Sequence, residues 1–144
     1  MSDPLDPRLV EPPSPLAQTL GFTMTGWAEG YARIEAPIAA HLMNRQGLPH
    51  GGVYATMLDT AMGFCGCHTG DPEIRRAALT VSLTINFLAP ATGDRLVAEA
   101  RVTGGGRSTF FASGCLRDSS GAQVANATGV FRYRQAPPRP GPER

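Results

Sequence analysis

At 144 residues the chain is the length of one domain, with enough residues to bury a substantial core. Hydrophobic residues make up 42% and charged residues 17%, which is a globular rather than a disordered composition. The formal net charge is +1 with no basic run and no lysine, which argues against nucleic acid as the main partner. Any anion must then be held by arginine forks or backbone N–H groups.

In chain order, residues 1–15 hold five of the 13 prolines and read as a flexible, extended N-terminal arm. "GFTMTGWAEGYARIEAPI" reads as two short strands around the turn Ala28–Gly30. "HLMNRQGLPHGG" is a loop, punctuated by Gly47, Pro49 and the pair Gly51–Gly52. The spacing of Val53, Met57, Leu58, Ala61, Met62 and Cys65 predicts a helix from Val53 to about Cys67. A polar connection, "HTGDPEIRR", leads to four strand-like segments separated by "PATG", "GGG" and "DSSG". The first of these alternates: Val81, Leu83, Ile85 and Phe87 face one way, and Thr80, Ser82, Thr84 and Asn86 the other. Residues 135–144 read as a disordered Pro/Arg tail, which leaves 16–134 as the folded domain.

Tandem strands with short turns imply an antiparallel sheet. With one long helix in the order β-β-α-β-β-β-β, the fold class is α+β, the helix lying across the sheet. The helix carries an unusual second face. Opposite its large apolar side chains stand Gly52, Ala55, Thr56, Asp59, Gly63 and Gly66, not the charged residues of a solvent face. Glycine costs a helix about 1 kcal/mol relative to alanine, so a sheet, a second subunit or a ligand is expected close to that face. Asp59 is then a partly enclosed carboxylate. It is either held by a structural partner or set to chemical work.

Cysteine and histidine point away from metal or redox chemistry. "CGC" is one residue too tight for a Cys-x-x-Cys pair, an odd total builds no disulfide framework, and His41, His50 and His68 lack ligand spacing. Cys65 and Cys67 read as small buried helix residues. No signal-peptide pattern and no apolar run of about 20 residues is present, so a cytoplasmic protein without a membrane partner is expected.

The pattern N-x5-HGG-x6-D entering the helix, the strand "TVSLTINFLAP" and the arm "GxxVANATGVF" together resemble the hotdog-fold acyl-CoA thioesterases, closest to the PaaI-like group. The resemblance covers Leu16 to Arg134. It implies a curved antiparallel sheet wrapped around the helix, and a homodimer or dimer of dimers with active sites between protomers. It implies an acyl-CoA substrate, hydrolysed to a carboxylic acid and CoA without a further cofactor.

By the same resemblance Asn44, His50 and Gly51 match the loop side of the site. Asp59 matches the acid that attacks the thioester or activates water, supplied by the other subunit, and Thr80 a hydroxyl that positions it. A carboxylate can act as general base or as nucleophile, and the sequence leaves both open. The N–H groups at Gly51 and Gly52 begin a helix, where they point outward at the positive end of its dipole; as a structural alternative, the pair is a flexible junction. Asn44 is equally a turn residue, His50 a loop-fixing hydrogen-bonder and Thr80 an ordinary strand threonine. Gly106 and Arg107, in a hairpin turn, are candidates for a CoA phosphate. Two rival functions remain: a non-catalytic acyl-CoA binding module, and a hotdog hydratase or dehydratase.

Overall fold

The computed structural model describes residues 5–136. A short helix α1 (Pro15–Leu20) precedes the hairpin β1 (Thr23–Ala28) and β2 (Tyr31–Pro37). After a single 3-10 turn at Ala40–Leu42 comes α2 (Gly51–Cys65), then β3 (Arg76–Phe87), β4 (Arg95–Gly105), β5 (Thr109–Asp118) and β6 (Gln123–Gln135). The six strands form one antiparallel sheet in the order β1-β2-β4-β5-β6-β3. The expected element order and α+β class are met, with α1 added.

Helix α2 lies on the sheet because its apolar stripe has nowhere else to go. Val53, Tyr54, Met57, Leu58, Ala61, Met62 and Cys65 are buried, and each large one contributes about 1.5–3 kcal/mol by leaving water. The close approach is made possible by Gly114 of β5, where a Cβ would meet Leu58 Cδ2 at 3.0 Å and Met62 Cγ at 3.3 Å. The helix stops at Gly66, over which the Phe110 ring sits 2.5 Å from where a Cβ would lie. The small face of α2 is therefore partly covered by this chain's own sheet, through Phe110 at Gly66 and Phe131 at Gly63.

Strand β3 departs from simple alternation. Thr80 pairs with Phe131, but the next paired residue is Ser82, opposite Val130, so Val81 is a β-bulge. Paired residues share a face, and Phe131 belongs to the core. The bulge thus turns Thr80 to the helix side together with Leu83 and Ile85, not to the side of Ser82 and Thr84 as strict alternation predicts. Strand β3 is also a sheet edge, and it exposes Leu79 (55%), Val81 (61%) and Phe87 (58%).

The N-terminal arm is the other correction. From Leu5 onward it packs on the domain: Leu9 is only 4% exposed within the core cluster, and Glu11 pairs with Arg75. Buried apolar area and an ion pair outweigh the expectation from proline content. The predicted Pro/Arg tail falls on residues 137–144, outside the described residues, apart from Gln135 at the end of β6 and Ala136.

Candidate active site

Asp59 sits in the second half of α2, half-buried, on the side of the helix facing the start of β3. Its Oδ1 accepts a 2.6 Å hydrogen bond from the Thr80 hydroxyl. That contact exists because the Val81 bulge turns Thr80 inward. Both residues line a cavity of about 250 Å³ whose walls include Gly63, Phe64 and Phe131. Arg75 and Arg76 add positive charge to it, and Cys67 adds an inert thiol whose pKa burial pushes up to about 11. Cys65 is pushed to about 12 for the same reason, so neither thiol is a nucleophile near neutral pH.

The loop Met43–Pro49 and the start of α2 build a second cluster. Asn44 Oδ1 accepts from the N–H groups of Gln46 (2.8 Å) and Leu48 (3.2 Å), which closes the loop as an Asx turn. His50 is the N-cap of α2: its Nδ1 accepts from Gly52 N–H at 2.8 Å. An accepting Nδ1 on a neutral ring leaves the proton on Nε2, which faces no partner among the described residues. The Gly52 donor is consumed by that cap. Gly51 N–H, by contrast, has no acceptor among the described residues, so of the two glycines it is the free donor.

Neither glycine needs an unusual backbone, since neither has a positive φ. Gly51 is small for a different reason: a Cβ there would meet Phe87 Cε1 at 3.3 Å. Gly51, Asn44, Tyr54 and Phe87 line a shallow groove distinct from the Asp59 cavity. Asp59 stands eight positions beyond Gly51, about 12 Å along the axis. Within one chain, then, Asn44, His50 and Gly51 gather at the start of α2, and Asp59 with Thr80 just past its midpoint. One carbonyl cannot reach both.

The β4–β5 turn is different from the expectation. Gly106 N–H donates to Thr109 O at 2.8 Å, so its backbone donor is spent inside the turn. Arg107 is exposed, with no partner among the described residues. The turn stands at the Asp59 end of the sheet, because Thr109 pairs with Arg132, and Arg132 with Leu79 beside Thr80. Among the described residues no group of three His, Cys, Asp or Glu side chains converges on a metal-sized site, and no helix is long and apolar enough to cross a membrane.

The family model for the thioesterase superfamily matches residues 46–125, more than half of the chain. The chain belongs to the thioesterase superfamily. Among its relatives is a putative esterase of Halobacterium salinarum, 29% identical over 126 residues (81% of this chain, 83% of the relative). The acyl-coenzyme A thioesterase PaaI of Escherichia coli is 32% identical over 94 residues, 65% of this chain and 64% of that protein. A Bacillus halodurans protein, solved as a crystal structure with CoA, superposes with a TM-score of 0.74 at 27% identity (87% of this chain, 82% of that one). The hotdog fold and the PaaI-like resemblance read from the sequence are therefore correct.

The superfamily stretch begins at Gln46 and ends at Ala125, so it spans Gly51, Asp59 and Thr80 and leaves out the arm. Sequence reasoning missed Glu11, Arg75 and Arg76 in the Asp59 cavity. Glu11 and Arg75 lie 64 residues apart, and no local pattern links them.

Proposed function

We propose that this thioesterase-superfamily protein hydrolyses an acyl-CoA to a free carboxylic acid and CoA at a site shared by two copies of the chain. The observation that carries this reading is the split of the candidate groups: the free Gly51 N–H lies at the start of α2 and the Asp59–Thr80 pair about 12 Å further along, past its midpoint. Strand β3 supplies a route to join them. It is an edge with exposed apolar side chains, Thr80 near one end and Phe87, which touches Gly51, at the other. Antiparallel pairing of two β3 edges about a two-fold axis would set Thr80 of one copy near Phe87 of the other. The Gly51 N–H of one subunit would then face the Asp59 carboxylate of its partner.

In that arrangement Gly51 N–H, at the positive end of the helix dipole, donates to the thioester oxygen and stabilises the oxyanion as it forms. Asp59 either takes a proton from the attacking water or attacks the carbonyl itself, and Thr80 fixes its orientation in both routes. The His50 Nε2–H and the Asn44 side-chain amide remain free to orient the substrate, since their other polar atoms already hold the loop. Arg107, exposed on the β4–β5 turn, would meet a CoA phosphate. The Gly106 N–H, already donated to Thr109 O, would contribute nothing to that contact.

The test is a panel of acyl-CoAs with a thiol-detecting reagent, run on the wild type and Asp59→Asn. The reading expects free CoA from the wild type and background release from the variant, with the fold retained by circular dichroism. Saturable acyl-CoA binding without thiol release would replace it with the binding module. A change in enoyl-CoA absorbance without thiol release would replace it with the hydratase.

A further inference from the structure

Part of the Asp59 cavity's wall comes from before the superfamily stretch. Glu11, from the N-terminal arm, lines it together with Arg75. Arg75 Nε donates to Glu11 Oε1 at 2.7 Å and Arg75 Nη2 to Oε2 at 2.9 Å, a two-pronged pair with both side chains mostly buried. The pair raises the arginine pKa further above its ordinary value, chiefly through those hydrogen bonds. Arg75 stands just before β3, five positions ahead of Thr80, and about 16 Å from it if the chain there is fully extended. The backbones of Arg75 and Thr80 are thus well separated, although both residues line the cavity.

Glu11 is held there by its surroundings. Leu9 is buried two residues before it, and Pro12 and Pro13 restrict the chain after it. The next segment is α1, capped by Ser14 Oγ on Ala17 N–H at 3.1 Å and by Gly21 in the left-handed region (φ 77°). An arm anchored on both sides holds its carboxylate in place. The cavity has apolar walls at Gly63, Phe64, Ala78 and Phe131 and carries the charged pair at Glu11 and Arg75. Its volume of about 250 Å³ compares with the roughly 150 Å³ of an apolar cavity that benzene fills.

We propose that the Glu11–Arg75 pair is the end wall of the acyl subsite, so that the N-terminal arm restricts the substrate to compact acyl groups. The inference rests on the reading of Asp59 as the reacting carboxylate. An acyl chain that outgrows the cavity must push apart a partly buried, doubly hydrogen-bonded ion pair, so selectivity falls steeply with length. In a hydrophobic pocket a single methylene changes kcat/KM by about 10–200-fold.

The experiment measures kcat/KM for saturated acyl-CoAs of about four to twelve carbons on wild type, Glu11→Ala and Glu11→Gln. The wild type should prefer the short members. Glu11→Ala should raise the long-to-short ratio about tenfold or more, mainly through KM, whereas Glu11→Gln, which keeps the volume, should shift it less. A ratio within about twofold of wild type in a folded Glu11→Ala overturns the proposal and leaves the hydrolase reading intact. No thiol release from any acyl-CoA by the wild type overturns the hydrolase reading instead. In that case the long-to-short ratio of acyl-CoA dissociation constants, measured on an Asp59→Asn background, decides the end wall: a fall in Glu11→Ala supports it, and no change or a rise overturns it.

Discussion

Gly51→Pro removes one N–H group from the candidate site and little else. Gly51 is the first residue of α2, the position where proline is favoured because its missing donor would have no partner within the helix. His50 before it already holds φ −62° and ψ 139°, the extended conformation that a residue before proline prefers. The helix should therefore survive, while the free donor is lost. Removing one oxyanion donor in enzymes of known mechanism costs about 2.7–4 kcal/mol, or 10²–10³ in kcat, and that is the loss predicted here. Gly51→Ala is the control, since it keeps the N–H. Its Cβ meets the Phe87 ring at 3.3 Å, and Phe87 is exposed enough to shift by the few tenths of an ångström required. Thiol release under saturating acyl-CoA, with helicity followed by circular dichroism, reads both variants. Turnover by folded Gly51→Pro within about threefold of wild type would refute the assignment of the donor.

Thr80→Val deletes the hydroxyl on Asp59 while keeping a β-branched side chain. A hydrogen bond to a charged group is worth about 1.5–3 kcal/mol; this one lies at an open cavity, so kcat should fall by about tenfold, and Thr80→Ser should restore most of it. Equal loss in both variants would show that packing, not the hydroxyl, matters. Gly66→Ala forces a Cβ to within 2.5 Å of the Phe110 ring, which is buried and stacked on Phe131 at 5.1 Å, so it cannot yield. Overpacking of this kind costs about 1–3 kcal/mol, and a Tm equal to wild type would contradict the packing described. Asp118 is held down to a pKa of about 2 by the Ser120 hydroxyl first, and also by the Thr92 N–H. Its ionised form therefore stabilises the fold above the unfolded value of 3.8, and that stability disappears as pH falls toward 2. The stability gap between wild type and Asp118→Asn in urea titrations should be present at pH 7 and shrink below about pH 3.8; a gap independent of pH would exclude this linkage.

Much of this arrangement is legible in the sequence where the signal is local. The apolar spacing of Val53 to Cys65 marks α2 to within two residues, and the turn-formers between the last four segments mark the antiparallel strands. Asn44 forms the turn its type suggests, and His50 serves to fix the loop. Helix α1 also carried its signals: Ser14 as cap, Pro15 at the first position and Gly21 at the end. The high proline content around them suggested a loose arm instead.

What the sequence hides is long-range. The Val81 bulge is a property of the pairing between β3 and β6, so the inward turn of Thr80 cannot be seen from alternation alone. The Glu11–Arg75 pair joins segments on opposite sides of α2 in the chain. The Gly106 donor is spent on Thr109, a contact set by the geometry of the turn and not by its composition.

The central claim is that each active site combines Asp59 of one subunit with Gly51 of the other, and subunit complementation tests it most directly. Asp59→Asn and Gly51→Pro proteins, each nearly inactive alone, are mixed and allowed to exchange subunits. Mixed dimers would contain one site with both lesions and one with neither, so thiol release should recover to about a quarter of the wild-type rate at full random exchange. Mixed dimers that form, as shown by mass spectrometry, yet remain as inactive as the parents would contradict a shared site.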